Sequence, residues 1–172
     1  ISWRNRKSGE VVLNENERPV IKDLDIYPSP YLNGIFDDLI SKWENLNFQA
    51  IIETNRGCPF SCSYCFWGQG GLSRTFRFHS TERINAEIEW LGRRKISYVF
   101  CADSNFGMHP RDLQITKALT KTKRKYQYPE KFRVCYGKNT DNRIFEIVKL
   151  LHHHDMDKGI TLSRQTNDPV VL

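Results

Sequence analysis

Cys58, Cys62 and Cys65 stand in the run Glu53-Thr54-Asn55-Arg56-Gly57-Cys58-Pro59-Phe60-Ser61-Cys62-Ser63-Tyr64-Cys65-Phe66, a spacing of C-x3-C-x2-C. Iron–sulfur clusters are held by cysteine thiolates, four of them where every iron has a protein ligand. Three thiolates hold three irons of a [4Fe–4S] cluster and leave the fourth open to a ligand that is not protein. Two other chemistries use grouped cysteines. A structural zinc takes four ligands, commonly in paired CxxC spacings, and the remaining cysteines, Cys101 and Cys135, stand singly and far along the chain. A disulfide framework takes an even number of cysteines in a secreted chain, and here there are five and no signal-peptide pattern. The spacing favours the cluster.

Something must position that loop. Phe48 to Thr54 (FQAIIET) reads as a buried strand that delivers the chain to the cysteines. Ile84, Ile88 and Leu91 recur at helical spacing and predict a helix over 81–94, capped by Ser80 or Thr81. Ile96 to Ala102 (ISYVFCA) predicts a second strand, Asp112 to about Lys123 a second helix, and Phe132 to Tyr136 (FRVCY) a third strand. Ile144, Ile147, Val148 and Leu151 predict a helix over 141–153 with Asp141 as its cap, and Ile160 to Ser163 begins a fourth strand. Alternating strands and helices predict a parallel sheet with helical crossovers, an α/β fold. In such folds the loops after the strands carry the chemistry. The distinctive polar residues fall there: Cys58 to Cys65, Asp103-Ser104-Asn105, Lys138-Asn139 and Ser163-Arg164-Gln165.

Residues 1–47 differ in character. Pro19, Pro28 and Pro30 interrupt them, and residues before proline avoid the helical region. They read as a linker or wrapping segment that joins an upstream domain to a core over 48–172. The chain begins at Ile1 and ends in Val170-Val171-Leu172, and it reads as a piece of a longer polypeptide. The charge is +6. The densest basic run, Lys121 to Lys125, sits at a helix end, where cations complement the helix dipole in water. No aromatic-rich RNA-binding signature accompanies it, and no apolar run approaches the ~18 residues of a membrane span. The default setting is reducing cytosol, which also suits an oxygen-sensitive cluster.

The cysteine segment resembles that of the radical S-adenosylmethionine (SAM) superfamily. The stretch Asp23-Leu24-Asp25 to Pro28-Ser29-Pro30-Tyr31-Leu32-Asn33-Gly34, the run Phe100-Cys101-Ala102-Asp103-Ser104-Asn105-Phe106-Gly107 and the segment Lys158 to Thr166 resemble its cobalamin (B12)-binding subfamily. The resemblance implies a TIM-like (β/α)6 barrel, here cut after the start of the fourth strand. It implies an enzyme whose open iron chelates SAM. One electron, from a donor such as flavodoxin or ferredoxin, cleaves SAM to a 5′-deoxyadenosyl radical. Many members of the subfamily are methyltransferases that act on unactivated carbon, and a cobalamin domain lies upstream of their barrel. This chain has no Asp-x-His-x-x-Gly cobalamin signature, so cobalamin rests on the resemblance alone. A small molecule or peptide is the expected substrate class. Two alternatives stay open: a cobalamin-independent enzyme such as a tRNA methylthiotransferase, and a zinc-binding module without catalysis.

The resemblance also implies roles. Cys58, Cys62 and Cys65 bind the cluster, and Gly57 lets the backbone turn around it. Tyr64 stands where relatives pack an aromatic near the SAM adenine. Asp103 and Asn105 stand where they offer polar groups to its methionyl part, and Asn139, Ser163 and Gln165 where they serve its ribose or carboxylate. Phe66 replaces an Asp common in relatives. The run His152-His153-His154 invites a metal reading, but consecutive helical residues point about 100° apart, so a polar helix end is the better one. Cys101 and Cys135 read as small buried hydrophobes within strands.

Overall fold

A computed structural model describes residues 2–13, 20–65, 75–137 and 142–160. Three parallel strands form its centre: β3 (Gln49–Ile52), β6 (Tyr98–Phe106) and β7 (Lys131–Tyr136), in the order β3-β6-β7. The crossover from β3 to β6 contains α2 (Thr81–Arg93) and the crossover from β6 to β7 contains α3 (Pro110–Tyr126). After β7 comes α4 (Asn142–His153). Beside the sheet, β4 (Asn55–Arg56) pairs antiparallel with β5 (Arg77–Phe78). At the start of the chain, β1 (Ser2–Arg4) and β2 (Val11–Leu13) make a hairpin, and α1 (Asp37–Lys42) follows it.

The helices form where apolar residues recur on one side. Ile84, Ile88 and Leu91 of α2, Ile115 and Leu119 of α3, and Ile147 and Leu151 of α4 share one core with Ala50, Ile52, Val99, Cys101, Phe132 and Val134. Strand side chains alternate between faces, so this core takes one face of the sheet. On the other face Ile51, Ala102, Arg133 and Cys135 are exposed. Each buried Leu or Ile contributes roughly 1.5–3 kcal/mol, which makes the helix-covered face the main source of cohesion.

The helix ends have identifiable causes. The Ser80 hydroxyl accepts from the Arg83 amide and starts α2. His109 and Asp112 cap α3 reciprocally, with Pro110 in its first turn. There proline loses no helical hydrogen bond. This helix therefore begins before Asp112 and runs past Lys123. At its far end Gln127 turns left-handed, with φ of 67°, and Lys123 donates to the Gln127 carbonyl. The basic run is thus a solvated helix end, with Lys125 paired to Glu89 at 2.8 Å.

Two expectations change. The second strand runs on through Asp103 and Asn105 to Phe106, because both polar side chains are buried rather than looped out. Cys135 is exposed, since Val134 takes the inward position of β7. Within residues 1–47, read as a linker or wrapping segment, several side chains pack on the core. Leu24 is fully buried, and Tyr31, Phe36 and Ile40 pack on the core. The Tyr31 hydroxyl donates to the Ile51 carbonyl. Past α4, the Phe132 amide donates to the Met156 carbonyl at 2.8 Å, and Phe132 and Asp157 form a parallel bridge. The fourth-strand residues 161–163 and the cap Asp141 lie outside the described residues.

Candidate cysteine-loop site

β3 and β6 run parallel, so their C-terminal ends meet at one edge of the sheet. There the chain leaves β3, makes the short strand β4 and enters the cysteine loop. Gly57 has φ of 117°, a region that glycine alone enters without strain. Cys58 follows at once and is buried, while Cys62 and Cys65 are half-buried. The Cys65 amide donates to the Cys62 carbonyl at 3.1 Å, closing a tight turn between the last two thiols. Among the described residues, no three His, Cys, Asp or Glu side chains are gathered to hold one metal ion. A cubane spreads its thiolates over separate irons, so a loop that presents three thiols in succession suits it.

The loop is anchored at its base. The Asp103 carboxylate takes four donors. Its Oδ1 accepts from the Thr54 amide at 2.7 Å and the Asn55 amide at 3.2 Å. Its Oδ2 accepts from the Thr54 hydroxyl and from Asn55 Nδ2, the latter at 2.7 Å. The next residue, Ser104, donates its hydroxyl to the Gly57 carbonyl at 3.0 Å. Burial pushes the Asp103 carboxyl up to about 6, against the downward pull of the Thr54 and Asn55 hydrogen bonds.

Two polar atoms in this region lack partners. Asn105 is 3% exposed, and its Nδ2 has no hydrogen-bond partner. Asn55 Oδ1 is likewise buried and unpaired. An unsatisfied buried polar atom costs about 1–3 kcal/mol. Asn55 stands three positions before Cys58, and Asn105 two residues beyond Asp103 on β6.

A second layer supports the first. The His79 amide donates to the Thr54 carbonyl at 3.1 Å. The His79 ring is buried, and its Nδ1 lies 3.0 Å from Asp25 Oδ1. The Ser80 amide donates to Asp25 Oδ2 at 3.0 Å. Arg111 donates to the His79 carbonyl at 2.7 Å and lies over the Phe78 ring. On the far side of β6, Arg143 donates to the Met108 carbonyl at 2.9 Å. Sequence reading missed Thr54, His79 and Asp25 as contributors. A buried-strand Thr and an isolated His carry no motif, and their partners lie some 50 positions away.

The other expected site residues divide. Tyr64 is 69% exposed on the loop. Asp103 and Asn105 come to the same edge as the cysteines. Asn139, Ser163 and Gln165, like Phe66, lie outside the described residues. His152 pairs with Asp157 at 3.3 Å, and His153 meets His154 edge-on, so the histidine run is not assembled as a ligand set. Burial pushes the Cys101 thiol well up, with Asp103 adding to it. That agrees with an inert buried role for Cys101. No helix among the described residues is long and apolar enough to cross a membrane.

Comparison with known proteins meets this geometry. The chain is 40% identical over 169 residues to the cobalamin-dependent radical SAM methyltransferase TokK of Streptomyces tokunonensis, covering 97% of this chain and 24% of that protein. It is 42% identical over 147 residues to the 2-(S-pantetheinyl)-carbapenam-3-carboxylate methyltransferase of Streptantibioticus cattleyicolor, covering 84% of this chain and 21% of that one. It thus spans about a quarter of the length of these relatives. The fold is similar to that of the radical SAM methyltransferase TsrM from Kitasatospora setae, with a TM-score of 0.56 over 76% of this chain and 24% of that one, at 17% identity. Residues 52–171 match the Radical SAM superfamily. The chain belongs to the radical SAM superfamily.

Proposed function

We propose that residues 48–172 are the first part of a (β/α)6 radical SAM barrel, and that residues 1–47 lead into it from an upstream domain. The bare face of the sheet, with Ile51 64% exposed, supports a barrel interior there. The whole protein reductively cleaves SAM at a [4Fe–4S] cluster and transfers a methyl group to an unactivated carbon of a small molecule. The names of the two relatives at 40% and 42% identity support methyl transfer, and the first of them supports cobalamin. No residue described here is assigned to cobalamin. An electron donor such as flavodoxin or ferredoxin is the partner this chemistry needs. The tRNA methylthiotransferase and zinc-module readings are not favoured, since both of these relatives are named methyltransferases.

One observation carries the reading: three cysteines in succession on a glycine-turned loop that is tied through Ser104 to β6, the strand that carries the buried, unpartnered Asn105 amide. The donor set fits a cluster with one open iron, and Cys58, Cys62 and Cys65 would hold it. When bound, the cluster supplies the electron that cleaves SAM. The protein binds and orients. In this reading Asn105 Nδ2, buried and unpartnered, donates to a SAM acceptor, and Tyr64 is the aromatic for its adenine. Asn139, Ser163 and Gln165 complete the polar set for its ribose and carboxylate. Asp103 has both oxygens engaged by the chain, so its part is support rather than direct contact.

The test is anaerobic reconstitution of the full-length protein with iron and sulfide, followed by EPR of the reduced form. A [4Fe–4S] signal that changes on adding SAM, and is lost when Cys58, Cys62 and Cys65 are all changed to Ala, is expected. Bound zinc without a cluster would sink the reading.

A further inference from the structure

We infer that Asp103 is a positioning residue for the cluster: its carboxylate fixes the backbone of Thr54 and Asn55 and thereby sets where the cysteine loop starts. The inference rests on the radical SAM reading above and adds a part that the cysteine motif does not contain.

The geometry of Thr54 carries the argument. Its amide and hydroxyl both donate to Asp103, and its carbonyl accepts from the His79 amide. Its side chain and both of its backbone polar groups are therefore engaged, and it is fully buried. Asn55 is held through its own amide and through Nδ2. Two residues of backbone are clamped by one carboxylate, four and three positions before Cys58. Ser104, the neighbour of Asp103, takes hold of the Gly57 carbonyl directly before Cys58. The contacts thus run along the chain to the first thiol without a gap longer than Arg56. From outside, Asp25 fixes His79 and Ser80, and so buttresses the opposite side of Thr54.

The four contacts match a carboxylate that accepts through both oxygens. All four groups facing Asp103 are donors, and a carboxylate is acceptor-only with room for about four bonds. An amide in its place keeps one accepting oxygen for the Thr54 and Asn55 amides and turns an N–H₂ toward the Thr54 hydroxyl and Asn55 Nδ2, both of which must reorient to meet it. The two side-chain arms of the clamp are thereby broken and remade at the base of the loop. Outer groups that orient metal ligands typically contribute 10–100-fold in metal affinity.

The experiment compares full-length wild type with Asp103→Asn, Thr54→Val and Thr54→Ser. Each is reconstituted anaerobically, then challenged with an iron chelator, and read by iron retained per chain and by EPR with and without SAM. Circular dichroism confirms folding. Asp103→Asn should lose iron to chelator about tenfold more readily than wild type. Thr54→Val should follow it in direction, and Thr54→Ser, which restores the hydroxyl, should behave as wild type. Wild-type retention and an unaltered EPR signal in Asp103→Asn would overturn the inference. So would a fully retained cluster whose SAM response alone is lost, since that marks Asp103 as a direct SAM ligand. Should Asp103→Asn fail to fold, Thr54→Val decides: retention equal to wild type overturns the inference. Absence of a cluster in wild type itself overturns the radical SAM reading, and this inference with it.

Discussion

Asp103 carries two opposed tendencies at one carboxyl. Its donors need the charge, while burial disfavours it, and burial wins: its folded value is about 6 against an ordinary 3.8. The sign of the consequence is fixed. A raised folded value means that the folded chain holds the proton more tightly than the unfolded one, so stability is greatest below about 3.8 and declines as pH rises through about 6. The gap of roughly 2 pH units corresponds to about 3 kcal/mol at most. Urea unfolding of the cluster-free chain should therefore show wild type losing stability relative to Asp103→Asn between pH 4 and 7. A pH-independent difference would refute it. Asp103 was legible in the sequence as a polar residue of the site edge. Its engagement was not, because its partners lie 48 and 49 positions earlier. The cysteines needed no structure to be found, since their spacing is local. Cys135 misled for a different reason: FRVCY is apolar enough to look buried on both sides, and only the packing decides which side faces the helices.

At the scale of elements, α2 and α3 touch closely at Gly92. A Cβ added there would stand 2.4 Å from Thr122 Cγ2 and 2.7 Å from Tyr126 Cδ2. Thr122 is buried, and Tyr126 is held by its hydroxyl on Glu89, so neither is free to swing away. Gly92→Ala adds helix propensity, worth at most about 1 kcal/mol, but overpacking typically costs about 1–3 kcal/mol. A net loss of about 1–2 kcal/mol is expected on thermal or urea unfolding; a gain would show that the helices separate at no cost. The three helices were readable from their apolar spacing because that signal is periodic and repeats within each element. The ends were less so. Extension of the second strand through Asp-Ser-Asn runs against the usual depletion of Asp and Asn in strands, and it is sustained by side-chain bonds to another element.

For the molecule as a whole, the segment before the sheet behaves as part of the core. Leu24 is fully buried, Asp25 holds His79 and Ser80, and Arg83 reaches back to the Tyr27 carbonyl. A chain begun at Phe48 would lose these contacts and expose the Trp90 ring that Tyr31 covers at 5.0 Å. Burying a Leu side chain alone is worth about 1.5–3 kcal/mol, so such a chain should melt well below the longer one; an equal melting temperature would show residues 1–47 to be a mere tether. Composition and prolines suggested a linker or wrapping segment here but not which residues pack, because wrapping segments have no periodicity to announce them. Apart from Arg111 on the His79 carbonyl, the hydrogen bonds that shape the base of the cysteine loop, from Asp25 through Thr54, Asn55, Gly57 and His79 to Asp103 and Ser104, come from residues 25 to 104. Synthesis runs from the N-terminus, so every residue of that seat has been made before α3, β7 or α4 exists. A growing polypeptide thus holds every side chain that ties the cysteine loop to β6 before the last strand of the described sheet is made.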